Sequence, residues 1–155
     1  QECETEKVLH EIRRILVDGG KYFLLDHLDA GKGEVVVRLP EKKISQLMEF
    51  EHKFQYYPAT HQNISDNHLR ISKRCLQDFL TKDWSFNSPM ESIEMNETHN
   101  VFEKVETIRL IESSGFSVCN WIPFSDNRED LKRVDGELLK GEAWFRKFLL
   151  IATKS

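Results

Sequence analysis

The stretch Val8-Leu9-His10-Glu11-Ile12-Arg13-Arg14-Ile15-Leu16-Val17-Asp18-Gly19-Gly20-Lys21-Tyr22-Phe23-Leu24-Leu25-Asp26-His27 joins two kinds of pattern at a pair of glycines. Before the glycines, Val8, Leu9, Ile12, Ile15 and Leu16 recur at the i, i+1, i+4, i+7, i+8 spacing of one helix face, which predicts an amphipathic helix over residues 5–16. Arg13 and Arg14 lie near its end, where positive charge suits the helix dipole, and Gly19-Gly20 supplies a stop in which positive φ costs little. After the glycines, residues 21–25 form an apolar run without alternation, bounded by Gly20 and Asp26. Such a run predicts a strand covered on both faces, as in a parallel sheet.

A second helix-then-strand piece lies toward the other end. Asn100 is placed to cap a helix with Glu103 at the third helical position, and Val101, Phe102, Val105, Ile108 and Ile111 form its apolar face. Gly115 should end that helix, with Phe116 folding back on the last turn. Residues 117–124 then read as a strand with Val118, Asn120 and Ile122 on one face and Cys119 and Trp121 on the other; Pro123 favours its end or a sheet edge. Residues 144–152 read as a further apolar strand. Between these two, residues 126–142 are charged, contain Gly136 and Gly141, and read as a solvated connection with a helical turn or two.

The middle of the chain carries two helical patterns. One covers residues 44–54 with Ile44, Leu47, Met48, Phe50 and Phe54 inward; the other covers residues 72–80 with Cys75, Leu76, Phe79 and Leu80 inward. Residues 56–58 and 60–67 read as loop, since Pro58 disfavours continuation and polar turn formers cluster there. Residues 85–100 also read mostly as loop.

Composition narrows the function classes. The 155 residues are 39% hydrophobic and 31% charged, enough for one modest core. Lys and Arg number 22 against 26 Asp and Glu, interspersed rather than clustered, so no basic surface favours nucleic acid as a partner. No apolar run reaches the roughly 18 residues of a membrane span, and Gln1 to Glu6 are polar and acidic, unlike a targeting peptide; a soluble, cytoplasmic protein is expected. Cys3, Cys75 and Cys119 are odd in number and far apart, which predicts reduced thiols. A first residue Gln1 in place of Met leads to the expectation of an upstream segment.

Residues 8–27 resemble the stretch leading into the fifth strand of class I S-adenosylmethionine-dependent methyltransferases, where a helix ending in arginine, a hydrophobe and leucine meets a Gly-Gly turn. The family's usual proline before the glycines is Asp18 here, also a good turn former. Residues 103–116 resemble the later helix that ends in Gly-Phe, residues 117–124 the sixth strand, and residues 145–154 the closing seventh strand, ending on Ala-Thr-Lys. The resemblance implies an α/β fold, the C-terminal part of a Rossmann-like methyltransferase sheet, with the seventh strand inserted antiparallel between the fifth and sixth. It also implies one partial domain over residues 1–155, with residues 31–99 as a variable, helical insertion that roofs the substrate pocket. The family's cofactor is S-adenosylmethionine, held by a glycine-rich turn after its first strand and an acidic residue after its second. Neither is present. Gly31-Lys32-Gly33 lacks the flanking strand and helix and reads as a surface turn, so no cofactor-binding residue is assigned and the isolated chain should bind no S-adenosylmethionine.

Within that frame the expected partner is a small-molecule methyl acceptor offering N, O or S. Asp26 and His27 fall where the buried strand ends, and ligands in open α/β sheets bind outside the carboxyl ends of strands. His27 is the catalytic candidate, as a base or a hydrogen-bond donor to the acceptor; the alternative is a strand-end histidine bonded to solvent or backbone. Tyr56, Tyr57 and His61, near His52, form an aromatic and imidazole cluster suited to a small organic substrate; with Asp26 and His27 they complete the substrate-binding candidates. In the alternative reading, His52 lies on an exposed helix face and the tyrosines anchor the roof. The spacings of His52, His61, His68 and Cys75 match none of the compact zinc pairings, so no metal is expected. Nothing resembles a nucleophile elbow. Asn63-Ile64-Ser65 and Asn96-Glu97-Thr98 have the spacing of glycosylation acceptors, with no secretory signal beside them. A second class of function is a non-catalytic, methyltransferase-like module that pairs with a partner subunit through the open edge of the strand at residues 22–25.

Overall fold

In the computed structural model, residues 4–54, 60–97 and 101–155 are described. Along the chain run α1 (Glu4–Ile15), β1 (Lys21–His27), β2 (Glu34–Arg38), α2 (Glu41–Lys53), β3 (His61–Ser65), β4 (His68–Ser72), α3 (Lys73–Lys82), a 3-10 turn (Asp83–Ser85), α4 (Glu91–Met95), α5 (Lys104–Ser113), β5 (Phe116–Asp126), α6 (Asn127–Arg133), β6 (Glu137–Lys140) and β7 (Phe145–Lys154). The fold is mixed α/β with two sheets, ordered β1-β7-β5 and β3-β4-β2-β6. The chain divides into two compact units. The first takes the described residues of Gln1–Asp29, Val101–Phe124 and Lys147–Ser155; the second takes those of Ala30–Asn100 and Ser125–Arg146.

In the first unit the two helix-then-strand pieces form as their patterns predict, and the last strand lies between the other two. β7 pairs antiparallel with β1 from Lys21 opposite Thr153 to His27 opposite Lys147. Toward β5, the Ser117 and Ser155 hydroxyls meet at 2.7 Å and Cys119 Sγ meets Thr153 Oγ1 at 3.2 Å; residue numbers descending on one strand as they rise on the other make this pair antiparallel too. β1 and β5 therefore run parallel to each other with β7 between them. The Gly-Gly turn is tied to the same strand: Gly19, at φ +75°, donates to the Lys154 carbonyl at 3.2 Å, and Lys154 donates back to Gly20 at 2.9 Å. Leu9 of α1, Ile111 of α5, Phe116, Phe148, Leu150 and Ala152 form the core. Trp121 stacks on Phe148 with centroids 4.1 Å apart, and the Phe102 ring meets Phe148 edge-on at 5.8 Å.

Four details of this unit differ from the sequence reading. β1 is covered on one face only: Tyr22 and Leu24 pack into the core while Phe23 and Leu25 are 58% and 62% exposed, because α1 and α5 both lie on the same side of the sheet. The buried stripe of α1 is narrower than its periodicity, with Leu9, Ile12 and Leu16 inward but Val8 and Ile15 exposed. α5 starts one residue after Glu103, which is itself the cap, its carboxylate accepting from Glu106 N at 2.9 Å; Phe102 instead bridges Leu28, and Val105 on the first turn is exposed. Asn100 lies outside the described residues. Strict alternation in β5 also fails: Val118 and Trp121 both pack on the core while Cys119 and Asn120 between them are exposed, an irregularity that re-aims the strand by one residue. The end of α5 follows the pattern, with Gly115 at φ +85° and Phe116 buried directly after it.

In the second unit the predicted helices are present as α2 and α3, with Leu47, Phe50, Cys75, Leu76, Phe79 and Leu80 buried, whereas Met48 is half-exposed. Ser72 caps α3 by accepting from Cys75 N at 3.1 Å. Residues 60–67, read as loop, instead supply β3 and the turn of a hairpin with β4, in which Asn67 takes φ +63°. Their polarity fits an edge strand, because nothing has to be buried on its outer side. β2 has the alternation that marks a half-covered strand, with Val35 and Val37 buried. Residues 126–142, read as a solvated connection, contain α6 and β6; Leu131 and Val134 are buried and β6 pairs with β2. Residues 85–100 contain the short helix α4. Residues 31–99 thus share their unit, and its core, with a later segment of the chain.

Candidate functional site

Asp26 and His27 close β1, so the strand presents them at its carboxyl end. Side chains alternate along a strand, which sends Asp26 to the helix-covered side and His27 to the face that bears Phe23 and Leu25. The Asp26 carboxylate accepts from the His27 backbone N–H at 2.7 Å, and its Oδ1 lies 3.6 Å from His27 Nδ1. Phe102 crosses the strand end, donating to the His27 carbonyl at 3.0 Å and accepting from Asp29 N at 3.1 Å. Burial, and then the negative charge of Asp26, push the Tyr22 phenol above its ordinary pKa. An imidazole held beside a carboxylate at a strand end is equipped to accept or donate one proton or hydrogen bond.

His61 belongs to the second unit. It sits at the start of β3, and its Nδ1 lies 2.8 Å from Glu51 Oε1 on α2, with both side chains largely buried at 8% and 16% exposure. The Cys75 thiol is buried close by. Desolvation, then the charges of Glu51 and Asp78, push its pKa up to about 12, so it is an inert thiol rather than a nucleophile. His68 is engaged elsewhere, its Nδ1 3.0 Å from Ser65 Oγ. Tyr56 and Tyr57 lie outside the described residues. His52 is exposed and lines a shallow cleft of about 460 Å³ with Lys53, Ser88, Glu91, Ser92 and Met95, and Lys53 bridges Glu49 and Glu91 across it. Reading residues 85–100 as loop hid this cleft; the signal available was the short Glu-Ser-Ile-Glu-Met helix that forms one of its walls.

Among the described residues, the Gly31-Lys32-Gly33 turn does not have the geometry of a nucleotide cradle. Gly31 and Gly33 take φ +74° and +111° in an exposed turn, but that turn leads into β2 of an antiparallel sheet rather than into a helix whose N-terminus could hold the ligand. Among the described residues no group of three or more His, Cys, Asp or Glu side chains is placed to hold a metal ion, and no helix is long and apolar enough to cross a membrane. Compared with known protein families, with curated proteins and with solved structures, the chain matches none.

Proposed function

We propose that this chain is the C-terminal portion of a class I S-adenosylmethionine-dependent methyltransferase domain, whose whole moves a methyl group to an N, O or S atom of a small molecule. The observation that carries this reading is the strand order β1-β7-β5, in which the last strand returns antiparallel between two parallel strands, each led in by its own helix and a glycine turn. That is the arrangement the family resemblance implies for the fifth, seventh and sixth strands of a Rossmann-like sheet. When bound to the whole domain, the cofactor supplies an electrophilic methyl group, and catalysis of such a displacement is largely alignment of the two reactants. In this reading His27 and Asp26 hold the acceptor at the end of β1. The 155 residues by themselves hold no cofactor and methylate nothing.

The test is the coding sequence upstream of Gln1. A strand followed by Gly-x-Gly-x-Gly in frame is the expected result, and the continuous protein should then bind S-adenosylmethionine in a calorimetric titration. A start codon directly before Gln1 overturns the reading. His27→Ala in the continuous protein tests the residue: unchanged turnover removes it from the site.

A second reading has its own observation. β1 lies at the edge of its three-stranded sheet, as expected of a non-catalytic module that completes its sheet with a partner subunit. The same upstream sequence separates the two, since the module requires no glycine-rich turn.

A further inference from the structure

The face of the β1-β7-β5 sheet turned away from α1 and α5 is apolar at its centre and basic at its ends. The register sets Phe23 beside Ile151 and Leu25 beside Leu149, and period-2 alternation puts all four side chains on this one face. They form a block of two rows about 7 Å apart. Phe23 and Leu25 are more than half exposed, and Ile122 on β5 adds a further exposed side chain. The same alternation places Lys21 beyond one end of the block, and His27 opposite Lys147 beyond the other. Neither lysine has an ion-pair partner among the described residues.

We propose that this face docks an amphipathic helix of a partner polypeptide, one whose apolar stripe is flanked by acidic residues. An exposed contiguous apolar patch marks an interaction surface, and the two-row block matches the width of an i, i+3, i+4, i+7 stripe. The rim charges select the partner. Lys21 and Lys147 attract Glu or Asp beside the stripe, whereas a second copy of this chain laid face to face would set lysines against lysines. A pairing strand at the β1 edge would leave Phe23 and Leu25 facing water, because their side chains project from the face and not from the edge. A complete Rossmann-like sheet carries helices on both faces, so this inference rests on the reading of the chain as a non-catalytic module.

The test uses two labelled helical peptides of about five turns with the same Leu and Ile stripe, one flanked by Glu and one by Lys, titrated with the full chain and read by fluorescence anisotropy at low and raised salt. The Glu-flanked peptide should bind at least tenfold more tightly and weaken with salt. Leu25→Asp, at an exposed position that does not hold the fold, should reduce its affinity tenfold or more. The double variant Lys21→Glu with Lys147→Glu should transfer the preference to the Lys-flanked peptide. Equal binding of the two peptides, binding of neither, or no change in Leu25→Asp would overturn the assignment. So would light scattering showing a dimer of the chain that Leu25→Asp dissolves, which would make the occupant a second copy.

Discussion

Cys75 offers a test of how the second unit holds its core, because its ionisation is coupled to folding. The thiol is buried on α3, and desolvation followed by the charges of Glu51 and Asp78 raises its pKa from an ordinary value near 9 to about 12. A group whose folded pKa is raised keeps its proton longer in the folded state. Its contribution to stability is fully present below about pH 9 and is lost as the pH rises toward 12. At pH 10.5, about 1.5 pH units above the unfolded value, the unfolded thiol is ionised and the folded one is not, so the folded protein loses roughly 2 kcal/mol relative to neutral pH. Cys75→Ala removes this titration and costs about 1 kcal/mol at pH 7 through lost packing. Wild type should therefore be the more stable protein at pH 7 and the less stable one at pH 10.5, with the two curves crossing at about pH 9.6. Urea unfolding followed by tryptophan emission, at half-unit steps from pH 7 to 10.5, measures both curves. Every other group is common to the two proteins and cancels in the difference. A constant gap across the range would refute the burial of an un-ionised thiol at this position.

Four further outcomes are expected. Phe148→Ala should cost about 3–5 kcal/mol, since it empties a fully buried site and removes the stack on Trp121, and Phe148→Leu much less; thermal melts of both variants check it. Lys82 is fully buried with its ammonium on the Glu94 carbonyl and carboxylate, so Lys82→Ala should cost about 3–5 kcal/mol by stranding that charge, while Lys82→Met with Glu94→Gln should recover most of the loss; equal losses in the two variants would argue against the pair. Glu103 is held below the ordinary carboxylate range by the N–H groups of Glu106 and Val105 at the start of α5, and its contribution is present above the unfolded value near 4.5 and lost as the pH falls through the lower folded one. The urea midpoint of Glu103→Ala should accordingly lie below wild type at pH 7 and meet it at low pH. Calorimetric titration of the 155-residue chain with S-adenosylmethionine should give no binding heat, and tight binding would overturn the proposal that the cofactor contacts lie outside this chain.

The arrangement of α1, β1, α5, β5 and β7 was legible because each element carries its own local signal: a 3.6-residue stripe, a Gly-Gly or Gly-Phe stop, or a short apolar run. Where such signals were weak the reading failed. β3 is built from polar residues that an edge strand tolerates, and α6 and β6 sit in a charged stretch whose few apolar positions, Leu131, Val134 and Leu138, were outnumbered. Of the site residues, Asp26 and His27 were placed by the strand end, whereas the Glu51 partner of His61 lies ten residues away on a helix and carries no pattern that pairs the two.

The local order of helix, turn and strand is written in the sequence, since periodicity, capping and glycine stops act over a few residues. Which faces are covered is not. The run Tyr22-Phe23-Leu24-Leu25 is equally apolar on both sides, and only the placement of α1 and α5 on one side of the sheet decided that Tyr22 and Leu24 are enclosed and Phe23 and Leu25 are not. Burial depends on what arrives from distant parts of the chain, and a strand's own residues do not encode it.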